Sequence, residues 1–299
     1  MSYTIRSYEE SFVEKQAEIG RVATDSWIGY NMASADAIRN TYSQENFDPD
    51  TRLYAFKDDE MVGFLTGHVF DNPEGVKEVN YRFPILKAEH EEAAKPLIYR
   101  SFEVLKAKGV TKIRTSVKAD WGNFKQYAED YGFKYERVAT TFALLKVSDL
   151  KLPEENSEFE IEELDLEKHE SALINIFQTG FGLDEEAAKN NFELIKSFDQ
   201  NLIVTHSAVF KDGEIVARAL LYLPNADSEE AFLGNIYAPE GEEEKYYDVF
   251  MKHLVEASSE KGVSVINKPI LGDKLKVHNY EKYGFAFDNV VDYYTIDLD

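Results

Sequence analysis

The sequence predicts a mixed α/β protein built from two successive copies of one domain. Two observations predict it. Apolar residues at helical spacing alternate with short strand-like apolar runs along the whole chain, and three landmarks recur in the same order. Lys57-Asp58 returns as Lys211-Asp212, Lys108-Gly109-Val110 as Lys261-Gly262-Val263, and Tyr131-Gly132-Phe133 as Tyr283-Gly284-Phe285, at offsets of 154, 153 and 152 residues. Chance matches between short motifs would not keep that register. The 299 residues accommodate two domains of about 150 each.

Each copy reads alike from end to end. Strands open them at residues 3–7 and 159–163. Helices follow at 11–27 and 169–179, each broken by glycine and aromatic residues (27–30 and 179–182). Second helices span 34–42 and 185–198, the latter with Asp184 as N-cap. Hairpins come next. Residues 53–56 turn through Lys57-Asp58-Asp59-Glu60 into 61–65, and 207–210 turn through Lys211-Asp212-Gly213-Glu214 into 215–223. Fourth strands at 76–86 and 231–237 lead to long helices at 95–108 and 243–261, each stopped by glycine. Fifth strands at 112–117 and 264–267 precede helices that end at the Tyr-Gly-Phe motifs, and apolar strands at 138–147 and 290–298 close the copies. The polar, proline-containing stretch 148–157 reads as a linker, giving domains 1–147 and 158–299.

Composition narrows the functional classes. Hydrophobic residues make up 43% and aromatic residues 13%, enough for packed cores. With no cysteine, disulfides, thiolate metal sites and cysteine nucleophiles are excluded. The 33 basic and 56 acidic residues give a net charge of −23, which disfavours nucleic-acid binding and favours a cationic partner. The first residues show no signal-like apolar region and no run approaches membrane-spanning length, so a cytoplasmic protein without membrane attachment is expected. The six histidines form no metal-ligand pattern, and there is neither a nucleophile elbow nor a P-loop.

The order of elements, with Lys211-Asp212-Gly213-Glu214-Ile215-Val216 in the hairpin and Asn279-Tyr280-Glu281-Lys282-Tyr283-Gly284-Phe285 near the end, resembles the GNAT family of N-acetyltransferases over nearly the whole chain. The resemblance implies two tandem GNAT-like acyl-CoA N-acyltransferase domains with a mixed sheet. Acetyl-CoA would lie in a splayed gap between the fourth and fifth strands, its pantetheine on strand-four backbone at Phe83 and Ile85 or at Ile236. A small-molecule or peptide amine would attack the thioester directly, with no metal. A tyrosine often protonates the departing thiolate, and a phenol of pKa about 10 suits a thiol of pKa about 8 to 9. That tyrosine falls on Tyr280. In the first copy it falls on Ala128; Tyr127 is displaced by one residue, a helical rotation of roughly 100°, and is not expected to substitute. Glu78, with Asn80 and Tyr81, lies where family members sometimes place a base; Glu230 and Asn235 are the second-copy counterparts. Trp27, Tyr30 and Phe181 fall in loops that line the acceptor side.

The family's pyrophosphate loop places glycines and a basic residue before the long helix, where backbone N–H groups and the helix dipole meet the phosphates. Counting back from Gly109 and Gly262, the last position of the loop falls on Ala94 and Tyr247, but the first glycine falls on Glu92 and Lys245, and the basic residue on Glu89 and Glu242. Lys95 and Lys245 remain as candidate phosphate partners. Two readings therefore follow from the resemblance: an acyl-CoA-dependent N-acetyltransferase, or a catalytically inactive GNAT-fold protein that binds a ligand or partner.

Overall fold

The computed structural model describes residues 3–27, 29–30, 32–152, 159–272 and 280–298. Asn279 of the second motif, and residues 153–157 of the expected linker, lie outside the described residues. The chain divides into two compact units: residues 1–139 with 290–299, and residues 140–289.

Unit one opens with β1 (Thr4–Ser7), α1 (Val13–Thr24) and α2 (Ala35–Tyr42). The Ser34 hydroxyl accepts from the Ala37 N–H, which satisfies one of the free donors at the start of α2. β2 (Arg52–Lys57) and β3 (Glu60–Asp71) form the expected hairpin, with Asp58 and Asp59 at φ 48° and 63°. That pair of left-handed residues matches the twist of the flanking strands. β4 (Lys77–Leu86), α3 (Ala94–Ala107), β5 (Lys112–Val117) and α4 (Phe124–Asp130) follow, and then β6 (Lys134–Lys146), which passes into unit two at residue 140. β1 to β4 are successively antiparallel and β4 pairs parallel to β5. α3 packs against β2, β3 and β4, and α1 against β3 and β4.

Unit two repeats the plan with β7 (Ile161–Glu163), α5 (Glu170–Phe181), α6 (Glu185–Lys196), β8 (Ile203–Lys211), β9 (Glu214–Tyr222), β10 (Glu230–Leu233), α7 (Glu243–Glu260) and β11 (Val265–Leu271). Asp184 caps α6 by accepting from the Ala187 N–H at 2.8 Å. Phe250, Met251 and Leu254 of α7 pack with Ala217, Ala219 and Leu221 of β9. Phe177 of α5 and Phe192 of α6 pack with Leu220. The strand therefore buries both faces, which explains its nearly unbroken apolar run.

Three elements differ from the sequence reading. α5 runs through Gly180 to Phe181, and the left-handed turn comes at Gly182. Gly180 serves packing instead, since a Cβ there would lie 2.2 Å from the Tyr237 ring. The second Tyr-Gly-Phe motif follows a short 3-10 turn, Tyr280–Tyr283. The closing strands are exchanged: β5 pairs antiparallel with residues 292–297 of β12 (Ala286–Asp297), and β11 with residues 140–146 of β6. Each unit is thus completed by the other copy's last strand, so the compact units differ there from the boundaries 1–147 and 158–299. Both closing strands carry the same apolar alternation, and either satisfies the open edge.

Gly63 of β3 sits where a Cβ would lie 2.6 Å from the Ile85 carbonyl oxygen and 2.3 Å from a Leu86 methyl. Gly63→Ala is expected to destabilise unit one by about 2 kcal/mol through overpacking against β4. Urea unfolding followed by tryptophan fluorescence checks this, since Trp27 and Trp121 both belong to that unit.

Candidate active site

In unit one, Tyr81 and Thr115 are the last partners in the parallel register of β4 and β5. Beyond them the strands part. On its other edge β4 stays with β3, but Thr66 faces Arg82 while Phe64 faces Ile85, so β4 carries an extra residue at Phe83-Pro84. A proline, which has no N–H for a ladder, is tolerated at such a bulge. The parting opens a cleft of about 580 Å3 walled by Ile19, Trp27, Pro84, Ile85, Leu86, Phe124 and Tyr127. A second cavity, about 380 Å3, lies on the α1–α2 side of β3 and β4 and shares Ile85 with the cleft.

Unit two repeats this arrangement. Phe232 and Asn267 are the last parallel partners of β10 and β11. The Gly234 N–H donates to Leu220, and Tyr237 and Arg218 exchange both backbone hydrogen bonds, so a one-residue bulge falls at Asn235-Ile236. The resulting cleft, about 560 Å3, is lined by Phe181, Asn235, Ile236, Tyr247, Lys268 and Tyr280 among others.

The structure brings some sequence-predicted residues to these clefts and leaves others outside. Ile85, Ile236 and Tyr280 line them. Phe83 lines the second cavity of unit one, its ring packed against Phe124, Tyr127 and Phe133. Glu78 is not brought to the cleft. It lies at the paired end of β4, bridged to Arg114 at 3.5 Å and accepting from Asn72 at 2.9 Å. Its counterpart Glu230 accepts from Asn267 at 2.6 Å, so both copies use this carboxylate to clamp the parallel pair.

Ala94 is buried at the start of α3. Lys95 is exposed beside the Tyr99 ring, and Lys245 pairs with Glu242. The segment before α3 is a 3-10 turn, Ala88–Ala93, in place of a glycine loop, and Glu89 and Glu91 line the mouth of the cleft. Lys87 also lines it but is paired with Glu60. The cleft is therefore largely apolar along its walls and carries acidic residues at its mouth.

Tyr280 is 3% exposed, and burial pushes its phenol well above the usual value; a hydrogen bond with Tyr247 acts in the opposite direction. Two further groups line the clefts, one that the sequence sets aside and one that it does not single out. Tyr127, not expected to substitute for the tyrosine lost at Ala128, lines the unit-one cleft because Ala128 packs fully buried, leaving its neighbour to flank the opening. Lys268 is 5% exposed at the parting of β10 and β11, donating to the Gly234 carbonyl at 2.9 Å and Asn235 Oδ1 at 2.8 Å. Burial pulls its ammonium down to about 8. The signal was a charged residue interrupting an apolar strand, Val265 to Leu271.

Among the described residues, no group of three or more His, Cys, Asp or Glu could hold a metal ion, and no helix is long and apolar enough to cross a membrane. No protein-family model and no curated protein matches the sequence. Solved structures match the fold end to end. A tandem GNAT protein from the clavulanic acid biosynthesis pathway superposes with a TM-score of 0.69 at 11% identity, covering 100% of this chain and 99% of that one. The fold is that of a tandem GNAT protein. An N-acetyltransferase from Sphaerobacter thermophilus matches this tandem GNAT fold with a TM-score of 0.64 at 11% identity (99% and 96% covered). A GNAT-family acetyltransferase from Colwellia psychrerythraea does so with 0.62 at 16% identity (97% and 99% covered). The parallel pairing ends at the corresponding place in both units.

Proposed function

We propose that the protein is an acyl-CoA-dependent N-acyltransferase, with acetyl-CoA as donor and a small amine as acceptor, and that unit one carries the transfer. The observation that carries this reading is the unit-one cleft, an apolar channel at the strand parting that adjoins a second cavity at Ile85. A thioester in the first and an amine in the second would meet across Ile85, which supplies the positioning that direct transfer needs. The neutral amine attacks the thioester carbonyl, the C–N bond forms and the C–S bond breaks. The amine gives up a proton and the departing thiolate gains one. Tyr127 is the phenol placed to give it; burial raises its pKa, and a hydrogen bond from Asn123 lowers it.

The acidic mouth favours a second reading, a GNAT-fold ligand-binding module that does not transfer acyl groups. Calorimetric titration with acetyl-CoA separates the two. Under the first reading acetyl-CoA binds, and Glu89→Gln and Glu91→Gln each tighten binding by about threefold, the effect of removing an exposed like charge. Added salt also strengthens binding by screening that repulsion. No heat at millimolar acetyl-CoA, with the wild-type protein and with the double variant, would leave the module as the only reading.

A further inference from the structure

The second cavity of unit one has a charge opposite to that of the molecule. In a chain of net charge −23, none of its lining residues among those described is Asp or Glu, yet Arg52, Arg82 and His68 all line it. The strand register places them together. Arg52 faces Thr66 across β2 and β3, and Thr66 faces Arg82 across β3 and β4, so the three form one row on one face of the sheet. His68 and Asn80, partners two residues along, extend the same face. Strands lie about 4.8 Å apart, which sets the two arginine positions roughly 10 Å apart, the scale of a small ligand.

Both arginines lack a carboxylate partner among the described residues, whereas Arg6, Arg39, Arg100 and Arg114 each have one. Arg52 is 7% exposed. Its hydrogen bonds, to the Gly67 carbonyl and the Thr51 hydroxyl, both leave Nη1, and Nε has no partner among the described residues. The Tyr42 and Phe47 rings lie 5.2 and 5.4 Å from its guanidinium, and the Tyr30 ring lies 5.0 Å from that of Arg82. A buried guanidinium without a counter-ion is costly, and a planar oxyanion is the partner its geometry suits.

The duplication supplies an internal control. The same row in unit two is His206, Leu220 and Gly234, so the scaffold itself does not require arginine at either position. We infer that the unit-one acceptor is an amine that also carries a carboxylate, an amino-acid-like molecule, with its carboxylate held by Arg52 and Arg82. Its amine then lies toward Ile85 and the acyl cleft. The inference rests on the proposed transfer reading for the identity of the acceptor, but the carboxylate site is testable alone. It also refines the cationic partner expected from net charge: the overall field attracts the ammonium, while the cavity selects the carboxylate.

The test is calorimetric or ligand-observed NMR titration of the full chain, without acyl donor, using the common amino acids, their carboxamides and inorganic phosphate. At least one amino acid should bind about tenfold or more tightly than its amide, the value of a lost charge-assisted pair. Arg82→Gln, an exposed position that leaves the fold intact, should remove that preference, and Arg100→Gln, on α3, should not. Amides that bind as well as the acids, an unaffected Arg82→Gln variant, phosphate that outcompetes every carboxylate, or no binding at all would each overturn the inference. Carboxylate-dependent binding without any acyl transfer would support the site and count against the transferase reading alone. Transfer to amides as efficient as to the acids would do the reverse.

Discussion

Replacing Tyr127 by phenylalanine is expected to lower kcat for acyl transfer by about 100-fold, the usual worth of a positioned proton donor. KM for the amine should change little. The ring's packing survives the change: Phe83 lies 5.7 Å away and needs only the aromatic face. The hydroxyl is what disappears. Burial raises the Tyr127 pKa, so the phenol stays protonated at neutral pH and can supply the thiolate. Tyr280→Phe should leave kcat within about twofold, because its hydroxyl lies in the other unit and is hydrogen-bonded to Tyr247. Steady-state kinetics on the two single variants decides between the units. A collapse with Tyr280→Phe and none with Tyr127→Phe would move the chemistry to unit two, whose cleft Tyr280 and Lys268 both line. If neither variant matters, neither phenol takes part.

The contrast between these tyrosines shows which features the sequence could carry. Duplication and element order were legible because they rest on local signals. The Asp184 cap, the hairpin turns and the glycines after α3 and α7 are each decided by a few neighbouring residues. The GNAT fold followed from their order. The site was less legible because it depends on which way a side chain turns after packing. Ala128 marked the loss of one tyrosine, but only the burial of its methyl shows that Tyr127 takes the cleft side. Glu78 looked like a base by its place on the fourth strand, yet it is held by Asn72 in the preceding turn and by Arg114 on the distant β5. Likewise, two closing strands with the same alternation cannot reveal which unit each completes. Arg52 and Arg82 are 30 residues apart in the chain and meet only through strand register.

The second large effect is on stability, and it concerns His206 and Arg218 under α5 and α6. In unit one the corresponding cross-strand pair is Tyr54 opposite Phe64; in unit two it is Ala208 opposite Arg218, so the guanidinium fills space an aromatic ring leaves. Arg218 is 3% exposed, lies over the Phe177 ring at 5.2 Å, and has Nε and Nη1 without hydrogen-bond partners among the described residues. Burial pulls it down to about 10. His206 shares the face, and neither ring nitrogen has a partner among the described residues. Burial first, then the Arg218 charge, pulls its pKa from 6.5 to about 3, against a weaker opposing pull from Glu163.

The folded state therefore keeps His206 neutral while the unfolded state takes a proton below 6.5. Stability must fall as pH drops from 6.5 toward 3, by on the order of 4 kcal/mol for this group. His206→Leu should remove that slope, so its stability gain over wild type grows as the pH is lowered through this window. Arg218→Met should stabilise unit two by about 2 kcal/mol at neutral pH, because an apolar chain of similar length replaces a buried charge with no counter-ion among the described residues. It should also shift the acid transition only partly, since burial outweighs Arg218 among the causes. Denaturant unfolding of both variants at pH 7 and pH 4.5 measures each effect. A wild type and a His206→Leu variant that lose stability in parallel would show that His206 is protonated in the fold, and an Arg218→Met variant weaker than wild type would show that the guanidinium has a counter-charge.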